Sequence, residues 1–406
     1  MRILDVCAFY SPYGGGVKTY VRRKMELGAQ LGHEIIILAP GEREEILEER
    51  DGAILATIPA PLLPLDRRYR YFDDEPALHA ALDRWRPDFV EASSPWRSAS
   101  MVARWQGAAA RSLVMHADPL AAYAYRWFGT IANRETIDKG FASFWQHLRR
   151  LDEGFDQVVT AGRDLARRLT EGGLTKVVTI PMGVEPGYFD PALRDENLRA
   201  ELLASCGLGP ESTLLIGVGR LAAEKRWPMV IEAAEAAAGR HPMGLILIGT
   251  GTARSKVITA IGRNPHAQLF EPTSNREQLA RVLASSDALV HGCEAETFCM
   301  VAAEARASGL PLIVPDQGGA ADQFVEGQGM LYRAADPVAL RDALTQFVET
   351  TPMFHRMRAT ADAPSTRTMD QHFEELFASY RAMAYSRAAW PWRRNVDRMR
   401  RGSAVS

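Results

Sequence analysis

ALVHGCEAETFCMVAAEARASGLPLIVPD, residues Ala288 to Asp316, reads as strand, loop, helix, turn, strand. Ala288–Gly292 is a short apolar run suited to a buried strand. Thr297–Ala307 has helical periodicity, Ser308-Gly309 stops it, and Leu312–Val314 forms the next strand. Two carboxylates, Glu296 and Glu304, bracket the helix start with seven residues between them. The first turn would offer the unpaired N–H groups of Thr297, Phe298, Cys299 and Met300 to an anion. The flanking carboxylates cannot hold that anion, but they can accept hydrogen bonds from hydroxyls. The stretch therefore suits a ligand with phosphate in its middle and hydroxyls at both ends, as in a nucleotide sugar. The plainer reading is that both glutamates are solvated side chains or partners of the helix dipole.

A chain of 406 residues is too long for one core and suits two domains. Its 47% hydrophobic and 24% charged content is that of a globular protein, and a net charge of −2 gives no reason to expect a nucleic-acid partner. Cys7, Cys206, Cys293 and Cys299 form no CxxC pair or zinc spacing, which suits buried thiols in a reducing cytosol. The N-terminal MRILDVCAF enters a strand directly and is not a signal peptide. No apolar run approaches the ~20 residues that span a bilayer. These features predict a cytoplasmic chain.

In order, strand Arg2–Phe9 feeds a loop with Gly14, Gly15 and Gly16, then a helix over Val17–Leu31 and strand His33–Pro40. This is a βαβ unit whose glycines would open the helix N-terminus to phosphate. It is a poor dinucleotide fingerprint, since GGG is not GxGxxG and no acid closes the second strand; a tight turn is the alternative. Alternation continues to Met115, where His116 and Asp118 stand at a strand's carboxyl end, on the ligand face of such a sheet. The Pro- and Gly-dense PMGVEPGYFDP (Pro181–Pro191) marks a boundary, and a second βαβ series runs from Leu214 to about Arg333. The fold class is α/β, with two doubly wound domains facing each other across a cleft.

In the second series, Arg220 ends a strand, Lys225 sits in the loop and Pro228 opens a helix. Two cations there suit a diphosphate, or are ordinary surface charges. Gly249 and Gly251 mark another strand-to-helix turn, and backbone groups of AQLFEP (Ala267–Pro272) could read a base. A helix is expected from about Glu374. The tail beyond it, with Trp390, Trp392, Arg393, Arg394, Arg398, Arg400 and Arg401, suits an anionic membrane surface or a frayed, solvated end. Pro61–Asp74 and the AYAYRWFG stretch ending at Gly129 could line an acceptor site or be packed loops.

Together the GGGV loop, HAD at His116, IPMGVEPGYFDP, GVGRLAAEK, LIGTGTAR and ETFCMVAAEARASGLPLIVPDQGGAAD resemble the family-4 retaining glycosyltransferases of the GT-B fold, over nearly the whole chain. The resemblance implies a Rossmann-like acceptor domain over 1–190, a Rossmann-like donor domain over 191–365, and a C-terminal helix with a basic tail over 366–406 that crosses back to the first domain. It implies that Arg220 and Lys225 bind the donor diphosphate, Glu304 the ribose and Glu296 the sugar hydroxyls. The backbone at Phe298, Cys299 and Met300 would approach sugar and phosphate, and His116 the transferring sugar. Gly15, Gly16 and Gly251 would lie against the donor or acceptor. The implied reaction moves a hexose from a UDP- or GDP-linked sugar to a glycan, lipid or small-molecule hydroxyl. It proceeds with retention by front-face attack and with no metal or cofactor; the nucleotide sugar is a co-substrate. The basic tail would add peripheral contact with the inner membrane surface. Two departures stand out: the family's Asn and Asp are here Met182 and Glu185, and its Gly after Phe298 is Cys299. Rival readings are a non-catalytic nucleotide-sugar-binding protein of this fold and a NAD-dependent oxidoreductase. The latter would need an acid where Pro40-Gly41 stands.

Overall fold

The computed structural model describes the chain except residues 9, 11–15, 51, 65–68, 126–133, 240, 351 and 403–406. The first sheet comprises β1 (Arg2–Cys7), β2 (Glu34–Gly41), β3 (Glu45–Arg50), β4 (Ala53–Pro59), β5 (Phe89–Ser93), β6 (Ala110–Met115), β7 (Gln157–Thr160) and β8 (Val177–Thr179). Its order is β3-β4-β2-β1-β5-β6-β7-β8. The central strands are continuous apolar runs because helices cover both faces. Only β3 runs antiparallel, pairing with β4 through a bulge at Ile46/Glu48. The sequence reading omits β3, since EILEER lacks strand alternation; edge pairing supplies what propensity does not.

The second sheet comprises β9 (Thr213–Val218), β10 (Met243–Ile248), β11 (Ala267–Phe270), β12 (Ala288–Val290), β13 (Leu312–Pro315) and β14 (Gly329–Tyr332), ordered β11-β10-β9-β12-β13-β14. All its pairs are parallel. The architecture is the expected pair of parallel-sheet α/β domains.

Two segments cross between the sheets. Val184 N–H donates to Arg367 O (2.9 Å), and Met369 N–H returns to Val184 O (2.8 Å). A Cβ on Gly183 would lie 2.2 Å from the Thr368 carbonyl carbon, so the crossing needs glycine there. Thr368 and Gln371 form a reciprocal capping box that starts the last helix, Met369–Gly402, earlier than the expected Glu374. That helix packs Met369, Phe373, Leu376, Phe377 and Tyr380 onto Ile3, Ile35, Phe89 and Val159 of the first sheet. Burying each of these aromatics contributes about 2–3 kcal/mol. The side chains of the tail's tryptophans and arginines, Gly14, Gly15 and nearly all of the stretch ending at Gly129 lie outside the described residues. Among the described residues, no helix is long and apolar enough to cross a membrane.

Charge is buried beneath that helix. Lys24, on α1 (Gly16–Gln30), places Nζ 2.9 Å from Asp5 of β1 and 2.5 Å from Glu91 of β5. Tyr380 OH donates to Glu91 (2.5 Å), and Ser93 Oγ donates to Asp5 (2.9 Å). Burial, then Asp5, pushes Glu91 up to about 7 against the pull of Lys24.

Close by, His372 Nδ1 lies 3.0 Å from Pro181 O, and Nε2 lies 3.1 Å from Tyr20 OH. A carbonyl only accepts, so Nδ1 carries the proton and Nε2 accepts from Tyr20. Burial lowers the pKa of His372 to about 3 from 6.5, so the unfolded chain binds the proton first on acidification. Its contribution is complete above pH 6.5 and is lost as pH falls toward 3. Between pH 7 and 5, urea unfolding should show a loss of about 2 kcal/mol from this residue. His372→Asn should be less stable at pH 7 but flatter with pH; an unchanged slope would refute the assignment.

Candidate active site

The loops that carry the candidate residues leave the carboxyl ends of β6, β9, β10 and β12, where an open α/β sheet binds its ligands. After β9 the chain passes Gly219 to Arg220, whose side chain is 78% exposed and pairs with Glu224 at 3.1 Å. Trp227, buried under this loop, donates its indole N–H to Arg220 O (3.0 Å). Lys225 is nearly buried, and its ammonium sits on Glu296 Oε1. Burial pushes Glu296 up, but the Lys225 charge and the His291 contact outweigh it, leaving the carboxylate well below its ordinary range. Burial depresses Lys225, yet Glu296 more than offsets it, so the amine is held protonated. Beside this pair, Arg226 donates from Nε (3.0 Å) and Nη2 to the two carboxylate oxygens of Glu294.

His291 Nε2 lies 3.2 Å from Glu296 Oε1, off the line of a well-formed hydrogen bond, and burial keeps the imidazole neutral. His291, Glu296 and Cys299 each offer one ligand atom within 4.8 Å of the others. The Lys225 ammonium already occupies that carboxylate and would repel a second cation, so the set suits an amine better than a metal.

The expected helix start is corrected. Cys299 adopts left-handed backbone (φ 67°, ψ 72°), and the helix runs from Met300 to Ala307 rather than from Thr297. Thr297, Phe298 and Cys299 therefore form a loop before the helix, not its first turn. Gly319 N–H supports this loop from below by donating to Glu296 O (2.6 Å). Phe298 is buried against Ala161, Val184, Ala303 and Ala307, at the seam between the domains. The half-buried Met300 reaches the first domain's core. The Cys299 side chain is buried with Ile216, Leu289 and Ala302.

An open pocket of about 160 Å³ lies beside Arg220, lined by Gly219, Gly249, Thr250, Pro272, Thr273 and Leu279. Gly251 is not part of its lining; a Cβ there would stand 2.5 Å from Leu221 O, so its glycine serves the packing of two neighbouring loops. Glu304 is buried rather than open, and Arg276 donates to its Oε1 at 2.6 Å. Burial raises the Glu304 pKa, and Arg276 partly offsets that rise.

On the opposite wall, His116 stands just after β6, its ring edge-on to Tyr20 with centroids 4.8 Å apart. Burial lowers its pKa to about 4, which keeps the ring neutral near pH 7. Its carbonyl accepts from Thr297 Oγ1 (3.3 Å), joining the two walls next to Glu296. Asp118 pairs with the buried Arg168 and accepts from Ala121 N–H, a structural arrangement. Gly16 opens α1, and Gly15 lies outside the described residues.

Sequence reasoning missed His291, the Arg226–Glu294 pair and Arg276. His291 and Glu294 fall inside the opening stretch, where two further polar residues beside Glu296 were a usable signal. No local spacing connects Arg276 with Glu304.

The family model for Glycosyltransferase Family 4 matches residues 14–188, and that for Glycosyl transferases group 1 matches 199–363. A GDP-mannose-dependent alpha-(1-6)-phosphatidylinositol dimannoside mannosyltransferase of Mycobacterium tuberculosis is 29% identical over 95% of this chain and 97% of its own. A GDP-mannose-dependent alpha-mannosyltransferase of Mycolicibacterium smegmatis is 29% identical over 79% of this chain and 81% of its own. Among solved structures, sucrose-phosphate synthase from Thermosynechococcus elongatus superposes with a TM-score of 0.73 at 17% identity, covering 95% of this chain and 100% of that one. Anabaena HepE in complex with UDP and glucose gives 0.66 at 14% identity, covering 94% and 100%.

The left-handed backbone at Cys299 sets an order of stabilities. Cys299→Ala loses the buried sulfur and keeps the strain, whereas Cys299→Gly loses the sulfur and relieves it. Urea unfolding should place the glycine variant above the alanine variant by about 1 kcal/mol.

Proposed function

The chain belongs to the family-4 glycosyltransferases, and from that premise we propose that it moves mannose from GDP-mannose to a hydroxyl of a glycolipid, with retention at the anomeric carbon. It is an enzyme of the nucleotide-sugar hexosyltransferase class. The donor and acceptor in this reading are supported by relatives whose names specify GDP-mannose and, in one case, a phosphatidylinositol dimannoside. The observation that carries the reading is Lys225 held on Glu296 at the mouth of the helix that bears Glu304, beside the pocket at Arg220.

In this reading the pocket by Pro272 and Thr273 takes the base, Glu304 the ribose diol, and Arg220 with Lys225 the diphosphate. Glu296 and the neutral His116 take the sugar hydroxyls. The bond from the anomeric carbon to the β-phosphate oxygen breaks, and negative charge grows on that phosphate. Two cations placed there favour the transition state over the ground state, where the charge is smaller. The acceptor oxygen bonds to the same carbon on the same face, and its proton passes to the departing phosphate oxygen. No protein nucleophile and no metal or cofactor enters these steps. The basic residues of the tail support contact with an anionic inner membrane surface, where a lipid acceptor would reside.

Transfer of labelled mannose from GDP-mannose into a phosphatidylinositol mannoside acceptor should exceed transfer of glucose from UDP-glucose. Arg220→Ala should lower kcat about 10²–10³-fold, as loss of a charge-stabilising donor does elsewhere. Thermal stabilisation by GDP should be lost in Arg220→Ala and Glu304→Ala. A folded wild type stabilised by none of GDP, UDP or ADP would refute the transferase reading.

A further inference from the structure

We propose that Arg276 is a positioning residue that aims the Glu304 carboxylate at the donor ribose and ties it, through Glu185, to the first helix of the other domain. The inference rests on the reading of Glu304 given above. Arg276 opens the helix Arg276–Ser285, whose start is fixed by Asn275 accepting from Gln278 N–H at 3.1 Å. From there its Nη2 donates to Glu304 Oε1 at 2.6 Å, while Nε lies 3.3 Å from Glu185 Oε2. The guanidinium stacks over the Phe189 ring, 5.0 Å from its centroid. The other oxygen of Glu185 accepts from Arg22 Nη2 on α1 at 3.2 Å. Four side chains thus alternate in charge from the first helix of one domain, through the crossing segment, to the donor side of the other.

Two features separate this chain from an ordinary surface ladder. Glu304 and Glu185 are largely buried, with side chains 7% and 12% exposed, and at Glu304 burial raises the carboxyl pKa against the pull of Arg276. A neutral carboxyl at 304 would be a poor acceptor for two hydroxyls, and a carboxylate without a fixed partner could rotate away. Each carboxylate oxygen takes two hydrogen bonds, so the Arg276 contact leaves capacity for a diol. Glu185 is also one of the positions where the sequence departs from the family pattern. An aspartate there would fall short of the two arginines by about 1.5 Å, the length of one C–C bond.

The test is calorimetric titration of GDP and of pyrophosphate into the full chain and its variants. Arg276→Gln should weaken GDP about tenfold, the size of a lost hydrogen bond to a charged group, and leave pyrophosphate within about twofold. Arg276→Lys should recover part of the loss. Combining Arg276→Gln with Glu304→Gln should cost no more than about twofold beyond Glu304→Gln alone, since one acts through the other. Arg22→Gln, 59% exposed and on the other domain, should weaken GDP about threefold without touching it. Arg276→Gln binding GDP as wild type does, or losses that multiply in the double variant, would overturn the inference while Glu304→Gln still binds weakly. Wild-type affinity in Glu304→Gln would instead remove the ribose assignment, and the inference with it.

Discussion

A lysine cannot stay charged in a dry core unless partners replace its water, and Lys24 has no exposure at all. Desolvating such an ion costs several kcal/mol, and the offset here is two carboxylates with a tyrosine hydroxyl closing the set. The geometry this requires is demanding: α1, β1, β5 and the last helix must all be in place at once. The last helix returns from the other domain, so one buried cation ties α1 and that helix to the first sheet. Tyr20, four residues before Lys24 on the same helix, then meets His372 on one side and the His116 ring on the other. The position of a candidate site residue is inherited from a charge it never touches.

The second domain uses a lysine differently. Lys225 also sits on a glutamate, but its side chain is 12% exposed and Glu296 is 23% exposed, at the edge of the cleft. Lys24 is enclosed and completes a core; Lys225 is poised where an anion could share it. The same chemistry is structural in one place and available in the other, and the difference is access.

The parallel strands were legible because burial on both faces demands uninterrupted apolar runs, as in EIIILA and GLILI. The candidate residues were legible because strand ends are readable, and in this topology strand ends are where the ligand-facing loops begin. The start of the helix at Met300 was not, since left-handed backbone at Cys299 arises from the loop packing on Gly319 and not from any local propensity. The capping box at Thr368 was in the sequence and went unread. Arg276 was invisible for a topological reason. Its helix follows the outermost strand, β11, and comes to lie against the helix after β12 only once the sheet order is known.

That same topology bears on how the domains are joined. The crossing is made of backbone, Val184 bonded to Arg367 and Met369, with no side chain able to intervene at Gly183. Close to it Phe298 packs against Ala161 and Val184, while Asp322 accepts from Asp164 N–H (3.2 Å) and pairs with Arg163 (3.5 Å). Next to Glu296, a 3.3 Å hydrogen bond from Thr297 to the His116 carbonyl also joins the walls. Beside the crossing lies a cavity of about 350 Å³, bordered by Arg306, Gln323 and Arg367. The join between the domains is thus carried by backbone at the crossing and by side chains along the seam toward Glu296.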